Sequence, residues 1–303
     1  MTPPDTARTT ARTTERTTAR TTARNIKPST GHPISRCAHR PADRFTENKR
    51  MTTPPPMTTP TTTPLLPDTL QWLPATGRAE QLMILLHGWG ASAAAMAPLA
   101  AALRAEFPQA ALLAPEGFEP VDSGLAGRQW FAMNGPDGPV SEAKQPARVA
   151  AVLPRLADWV RAAQAISGVG PAATALVGFS QGAILALELA QLHDGLAGRV
   201  LSFSGRYASL PTRAPAQTTL HLFHGATDTV IPAAQTRLAM DRLTALHGDA
   251  TADIAEGVGH ELPPELVRCA IDRLRSHIPH RTWAAAMGAV PGLAERQVDS
   301  RQP

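Results

Sequence analysis

A serine, an aspartate and a histidine that together could carry acyl transfer stand in this sequence beside glycines that would let them project from tight turns. The serine lies in Gly178-Phe179-Ser180-Gln181-Gly182, a Gly-x-Ser-x-Gly element. With 22 glycines in 303 residues, such an element recurs by chance in about one comparable sequence in fifteen, so its context has to decide. The apolar run Thr174 to Val177 leads directly into it, and an apolar helical segment starts at Gly182. A serine on such a strand-to-helix elbow is held with its hydroxyl above the sheet edge at a helix N-terminus, which an ordinary serine in a turn has no need of.

A serine hydroxyl is a weak nucleophile at neutral pH and requires a histidine base and an acid that orients it. In a strand-helix-strand chain both should follow later strands, in the order Ser, Asp, His. Asp228 follows the apolar run Leu220 to Phe223, in His224-Gly225-Ala226-Thr227-Asp228; His260 follows the last strand, in Gly257-Val258-Gly259-His260. The competitors have simpler fates. Asp253 falls inside a strand, and Asp241 and Asp249 flank a helix, where solvated surface is expected. His277 and His280 close the last helix, where a charge-dipole or exposed role suffices. His221 alternates within a strand, and His224 is expected to shape the turn of the acid. The developing oxyanion needs fixed donors, best supplied by backbone amides. One is expected from Gln181, directly after the serine, and the second from Trp89 in His87-Gly88-Trp89-Gly90, whose glycines let backbone approach a substrate.

The surrounding pattern supplies the scaffold. Leu82 to Leu86 is a continuous apolar run of strand length, as in a parallel strand buried on both faces. Met96, Leu99, Leu103 and Phe107 form a helical stripe ended by Pro108; Ala110 to Ala114 is a strand; Val149, Val152, Leu156, Trp159 and Ala163 mark a helix closed by Gly168. Strands are expected at 174–177, 200–203, 220–223 and 252–255, the last a less buried edge. Helices are expected at 182–190 and 233–247, and a final one has Leu266, Ala270, Leu274 and Ile278 on its inner stripe. This alternation predicts an α/β fold: a mostly parallel twisted sheet of about six or seven strands with helices on both faces. Only 13 residues, Gly205 to Gln217, join two of the strands, too few for a cap domain. The site is therefore expected to be open, with the 115–138 loop over it and Trp130 and Phe131 lining an acyl pocket.

Several separated segments carry a resemblance: His87-Gly88-Trp89-Gly90, Gly127-Arg128-Gln129-Trp130-Phe131, Gly178 to Ala183, Ser204 to Pro211, His224-Gly225 with Asp228, and Gly259-His260. Over residues 70–292 the chain resembles the phospholipase/carboxylesterase group of α/β-hydrolases, most of all its bacterial YpfH-type esterases. The resemblance implies the α/β-hydrolase fold without a cap domain and a hydrolase of carboxylic esters, with lysophospholipids and acyl thioesters as further candidates, and Ser180, Asp228 and His260 as its triad. Ala183 stands where relatives outside this subgroup often carry a third glycine, which leaves substrate range open, and nothing before Leu70 has a counterpart.

That preceding stretch holds the basic charge. Residues 1–50 carry 11 Lys and Arg against 4 Asp and Glu, whereas the rest carry 18 against 21. Its Ala-Arg-Thr-Thr repeats lack apolar area, so residues 1–66 are expected to be a disordered extension, with Met51 and Met57 as alternative starts, followed by a hydrolase domain over 67–280 and a tail over 281–303. No nucleic-acid partner is expected of the domain, and no run is long and apolar enough to span a membrane. Cys37 and Cys269 offer no disulfide framework and no zinc site, so a reducing cytoplasmic setting and no metal or cofactor are expected, with Cys269 a packed helical side chain. The expected substrate is a small-molecule ester. An acyltransferase using the same triad, or a non-catalytic binding protein with a basic tail, are the alternatives; salt dependence and added acyl acceptors separate them.

Overall fold

The computed structural model describes residues 35–36, 68–121, 126–135, 138–139 and 144–286, all within the unit formed by residues 32–303. Its main sheet has eight strands: β1 (Ser35–Arg36), β2 (Thr69–Trp72), β3 (Gln81–Leu86), β4 (Ala110–Pro115), β5 (Thr174–Phe179), β6 (Arg199–Phe203), β7 (Thr219–Gly225) and β8 (Ala250–Ala255). They lie in the order β1-β8-β7-β6-β5-β3-β4-β2. Every pairing is parallel except β2 with β4. Six helices are described: α1 (Ala97–Glu106), α2 (Gln145–Ser167), α3 (Gln181–Leu192), α4 (Ala234–Ala245), α5 (Pro264–Ser276) and α6 (His280–Ala286).

The continuous apolar run of β3 has its physical reason in two cores. Leu82, Ile84 and Leu86 pack into one cluster with α2 and α3, while Met83 and Leu85 pack into another with α1 and α5. Successive strand side chains point to opposite faces, so a strand covered on both sides must be apolar at every position. All five are at most 3% exposed, each contributing about 1.5–3 kcal/mol of burial. Gly168 ends α2 in the left-handed conformation with φ 68°, the C-terminal stop its position implies.

Several expectations are corrected. The strand at 250–255 is buried along nearly its whole length: Asp253 is paired with Arg273 through two bonds of 2.9 and 3.0 Å, and β1 lies outside it. The antiparallel edge strand β2 and the helix α6 have no periodic signal long enough to reveal them. Arg281 on α6 donates to Thr219 Oγ1 and the Gly198 carbonyl, so the domain extends past residue 280. Ile278 lies beyond α5 and is exposed. Cys269 is half of a disulfide, not a simple packed thiol, which removes the cysteine-based argument for a reducing compartment. Apart from β1, the 1–66 extension lies outside the described residues. No helix among the described residues is long and apolar enough to cross a membrane.

Candidate active site

The elbow is built as its glycines require. Ser180 sits between β5 and α3 at φ 53° and ψ −114°, a backbone state that costs a non-glycine residue on the order of 1–3 kcal/mol. A Cβ on Gly182 would lie 2.1 Å from the Leu86 carbonyl oxygen, and one on Gly178 would lie 2.4 Å from that of Gly182. The turn can therefore fold back on its own strand at Gly178 and press against β3 at Gly182 only because both positions lack side chains.

The three residues expected to act together are brought together. His260 Nε2 lies 2.9 Å from Ser180 Oγ, and His260 Nδ1 lies 2.7 Å from Asp228 Oδ2. Asp228 Oδ1 accepts the Val230 and Ile231 amides at 2.9 and 2.8 Å. Burial works to raise the pKa of this carboxyl, but the His260 bond and the two amides together outweigh it and hold the group below the ordinary carboxylate value. Asp228 thus stays an anion facing the imidazole. Phe179 packs against His260, with ring centroids 5.0 Å apart.

Beside the serine, the amides of Trp89 and Gln181 have no backbone acceptor among the described residues. The first is oriented by His87. That fully buried ring donates from Nδ1 to the Gly88 carbonyl at 2.7 Å, and its Nε2 accepts the Gly117 amide at 2.9 Å. Because the Gly88–Trp89 peptide is planar and trans, anchoring the carbonyl on one side sends the Trp89 N–H to the other. Burial, the largest influence, pushes the pKa of His87 down despite the Gly88 bond and the nearby Glu116, so the ring keeps a single neutral tautomer.

Sequence reasoning missed the side chain of Gln181. Its Oε1 accepts the Trp130 amide at 2.8 Å and its Nε2 donates to the Phe131 carbonyl at 2.7 Å, so the residue after the serine clasps the covering loop as a neighbouring strand would. The signal was present: a glutamine opening an otherwise apolar buried helix needs a partner for both ends of its amide. Trp130 Nε1 donates to the His87 carbonyl at 2.8 Å, and Trp89 Nε1 to Gln129 Oε1 at 3.0 Å. Arg148 donates to the Ala132 and Asn134 carbonyls.

These clasps correct the acyl-pocket assignment. Trp130 is 0% and Phe131 2% exposed, and Trp130 packs against His87 and edge-on against Phe118. Both side chains are spent on anchoring the loop and offer a substrate no surface. The exposed apolar groups beside the site are Trp89, 40% exposed, and Val230, 65% exposed. Asp249, expected at the solvated surface, is instead 8% exposed and held by Thr219 Oγ1, His277 Nε2 and the His280 amide, at the opposite end of the strands from Ser180. His221 is buried there as well.

Comparison with known proteins points the same way. A model of the phospholipase/carboxylesterase family matches residues 73–278. Esterase YpfH of Escherichia coli strain K12 is 43% identical over 215 residues, 71% of this chain and 90% of that protein. Acyl-protein thioesterase 1 of Gibberella zeae is 30% identical over 121 residues, 37% of this chain and 52% of that protein. Among solved structures, that of esterase PE8 superposes with a TM-score of 0.60 at 28% identity, covering 69% of this chain and 97% of that one.

Proposed function

The chain belongs to the phospholipase/carboxylesterase family of α/β-hydrolases and is a carboxylesterase-type hydrolase, and from that premise we propose that it cleaves esters through an acyl intermediate on Ser180. The observation that carries the reading is the continuous relay of hydrogen bonds from Ser180 Oγ through His260 to Asp228, at 2.9 and 2.7 Å. Ser180 Oγ attacks the ester carbonyl carbon while its proton passes to His260 Nε2. The imidazolium so formed is stabilised by the Asp228 carboxylate, which is not itself protonated. Negative charge gathers on the former carbonyl oxygen, where the amides of Trp89 and Gln181 receive it. His260 then gives its proton to the departing alkoxide, and the alcohol leaves. A water molecule repeats the sequence on the acyl-serine, with His260 again as base, and the free acid departs.

The substrate read from this site is a short-to-medium acyl ester. Trp89 and Val230 supply the exposed apolar contact for the acyl chain, and the clasped loop over residues 126–135 forms a fixed wall rather than a mobile lid. The similarity to an acyl-protein thioesterase makes acyl thioesters the second substrate class to assay, since the same relay serves either leaving group.

Labelling with a fluorophosphonate, mapping of the modified residue and hydrolysis of p-nitrophenyl esters test the proposal. In Ser180→Ala, labelling should vanish and kcat fall by ~10⁴-fold or more, to the residue left by the oxyanion amides and binding. Wild-type turnover in that variant, or labelling at another serine, would overturn it. Parallel kcat/KM values for matched oxygen esters and thioesters rank the two classes.

A further inference from the structure

We propose that His224, near the C-terminal end of β7, is a positioning residue of this site: its Nε2–H donates to the Ile231 carbonyl and lies against the Asp228 carboxylate, and so fixes how that carboxylate meets His260. The inference rests on the triad reading above.

His224 lies in β7 near its C-terminal end, four residues before Asp228, and its ring is 0% exposed. Its Nε2 is 2.7 Å from the Ile231 carbonyl oxygen and 3.3 Å from Asp228 Oδ2. Its Nδ1 is 2.8 Å from Thr236 Oγ1 on α4. A carbonyl can only accept, so the proton belongs on Nε2, and Nδ1 accepts from the Thr236 hydroxyl. Burial, outweighing the Ile231 and Asp228 contacts that favour the charged form, keeps the ring neutral. The titratable groups that face it are Asp228 and His260; its α4 partner, Thr236, is neutral.

This arrangement completes the environment of the acid. Oδ1 of Asp228 takes the Val230 and Ile231 amides, and Oδ2 takes His260, with His224 Nε2 lying 3.3 Å from the same oxygen. His224 also holds the carbonyl of Ile231, the residue whose amide binds Oδ1, so it ties both ends of the 228–231 turn. Three donors and the adjacent His224 N–H leave the carboxylate no free rotation about its last bond, and each of these positive edges withdraws charge from it. Without the His224 donor, Oδ2 becomes the more basic oxygen, and the protonated form of His260 facing it is stabilised.

The test compares His224→Phe, which keeps volume and removes the donor, with His224→Gln, whose amide nitrogen reaches the Nε2 position. Active sites are counted by fluorophosphonate titration, and kcat/KM is followed from pH 5 to 9 on p-nitrophenyl butyrate. His224→Phe should raise the midpoint of the acid limb by about half a pH unit and lower kcat per titrated site about tenfold with KM unchanged. His224→Gln should return the midpoint to the wild-type value. A purely architectural role would lower the titrated fraction without moving the limb, so an unmoved or lowered midpoint in His224→Phe, or an equal shift in His224→Gln, overturns the inference. Where His224→Phe fails to fold, long-range ¹H–¹⁵N spectra of the wild type decide: a neutral Nε2–H ring from pH 5 to 9 supports the assignment, and a charged or Nδ1–H ring overturns it. Failure of the triad itself would show separately, as turnover surviving in Ser180→Ala.

Discussion

An aspartate-histidine pair stands at each end of the sheet. At the C-terminal ends of the strands, His260 meets Asp228 at 2.7 Å; at the N-terminal ends, His277 meets Asp249 at 3.0 Å. Both histidine side chains are 16% exposed and both carboxylates are buried. The pairs differ in which nitrogen faces the acid. His260 uses Nδ1, which sits near its own backbone, and leaves the outer Nε2 for Ser180. His277 spends Nε2 on Asp249, leaving only the inner nitrogen. Asp249 is further occupied by Thr219 and the His280 amide, which tie the α5–α6 corner to the start of β7. An Asp-His pair is therefore no sign of catalysis until the outer nitrogen and its neighbour are known. On the proposed mechanism the C-terminal end of the sheet carries the chemistry, while Asp249 at the N-terminal end ties down the last two helices.

Exchanging carboxylate for amide at each end should separate the two roles most widely. Asp228→Asn is expected to lower kcat by ~10⁴-fold, because the amide favours the wrong imidazole tautomer and cannot stabilise the imidazolium. Asp249→Asn should leave kcat per titrated site within about twofold, since nothing at that end touches the serine. It should instead cost about 2 kcal/mol of stability as charge-assisted bonds are weakened, or about 4–8 °C in Tm for a domain of this size. Steady-state kinetics and calorimetry on both variants check this; a catalytic collapse in Asp249→Asn would break the comparison.

A smaller contrast lies within the C-terminal end, between a buried tryptophan that builds and an exposed one proposed to meet the acyl chain. Trp130→Ala should destabilise the fold by about 3–5 kcal/mol and depress hydrolysis of every acyl length alike, because the loop that orients the oxyanion amides loses its anchor. Trp89→Ala keeps the backbone amide and should leave acetyl ester hydrolysis nearly intact, while erasing much of the gain for longer chains, at most ~0.8 kcal/mol per methylene formerly in contact. A p-nitrophenyl series from two to sixteen carbons measures both. Reversed patterns would return Trp130 to the pocket wall.

The meeting of Ser180, His260 and Asp228 was legible because the chemistry expected of them is tied to topology. Gly178 and Gly182 mark an elbow that no other local structure requires, and Asp228 and His260 each follow a strand whose apolar run is plain. The two-sided burial of β3 was equally readable from an unbroken run of five apolar residues. What could not be read was set by contacts between distant segments. Trp130 and Phe131 look like pocket walls in sequence, and only the amide of Gln181, about 50 positions away, turns them inward. Asp249 reads as surface because its partners His277 and His280 come from beyond another helix. The strand β2 has four residues and pairs with a segment about 40 positions later, so no local period could announce it.

The finest division between the two ends is expected in how stability depends on pH, and it turns on His221. This ring, 0% exposed, bonds Thr251 Oγ1 through Nδ1 and faces Arg199 through Nε2. Burial first, then the Arg199 and His277 charges, push its pKa down to about 3. A base whose folded value lies below its unfolded value of ~6.5 resists protonation only while the chain is folded. Stability is therefore full above pH ~6.5 and is lost progressively as pH falls towards 3, at about 1.4 kcal/mol for each pH unit. His87 and His224 are shifted in the same direction, so they add to the slope from the other end of the sheet. Asp249, held below its usual value by its bonds to Thr219, His277 and His280 against the opposing effect of burial, contributes only below pH ~4, where protonation removes its stabilisation. In His221→Asn the fall in Tm between pH 6.5 and 4.5 should be shallower than in the wild type by about 3–6 °C per pH unit, even though the variant starts from a lower Tm at pH 8 through lost packing. The acid limb of kcat/KM in the same variant should stay where it is, because His221 makes no bond to the relay of Ser180, His260 and Asp228. An unchanged Tm slope with a displaced activity profile would mean that the two ends of the sheet are electrostatically coupled rather than separate.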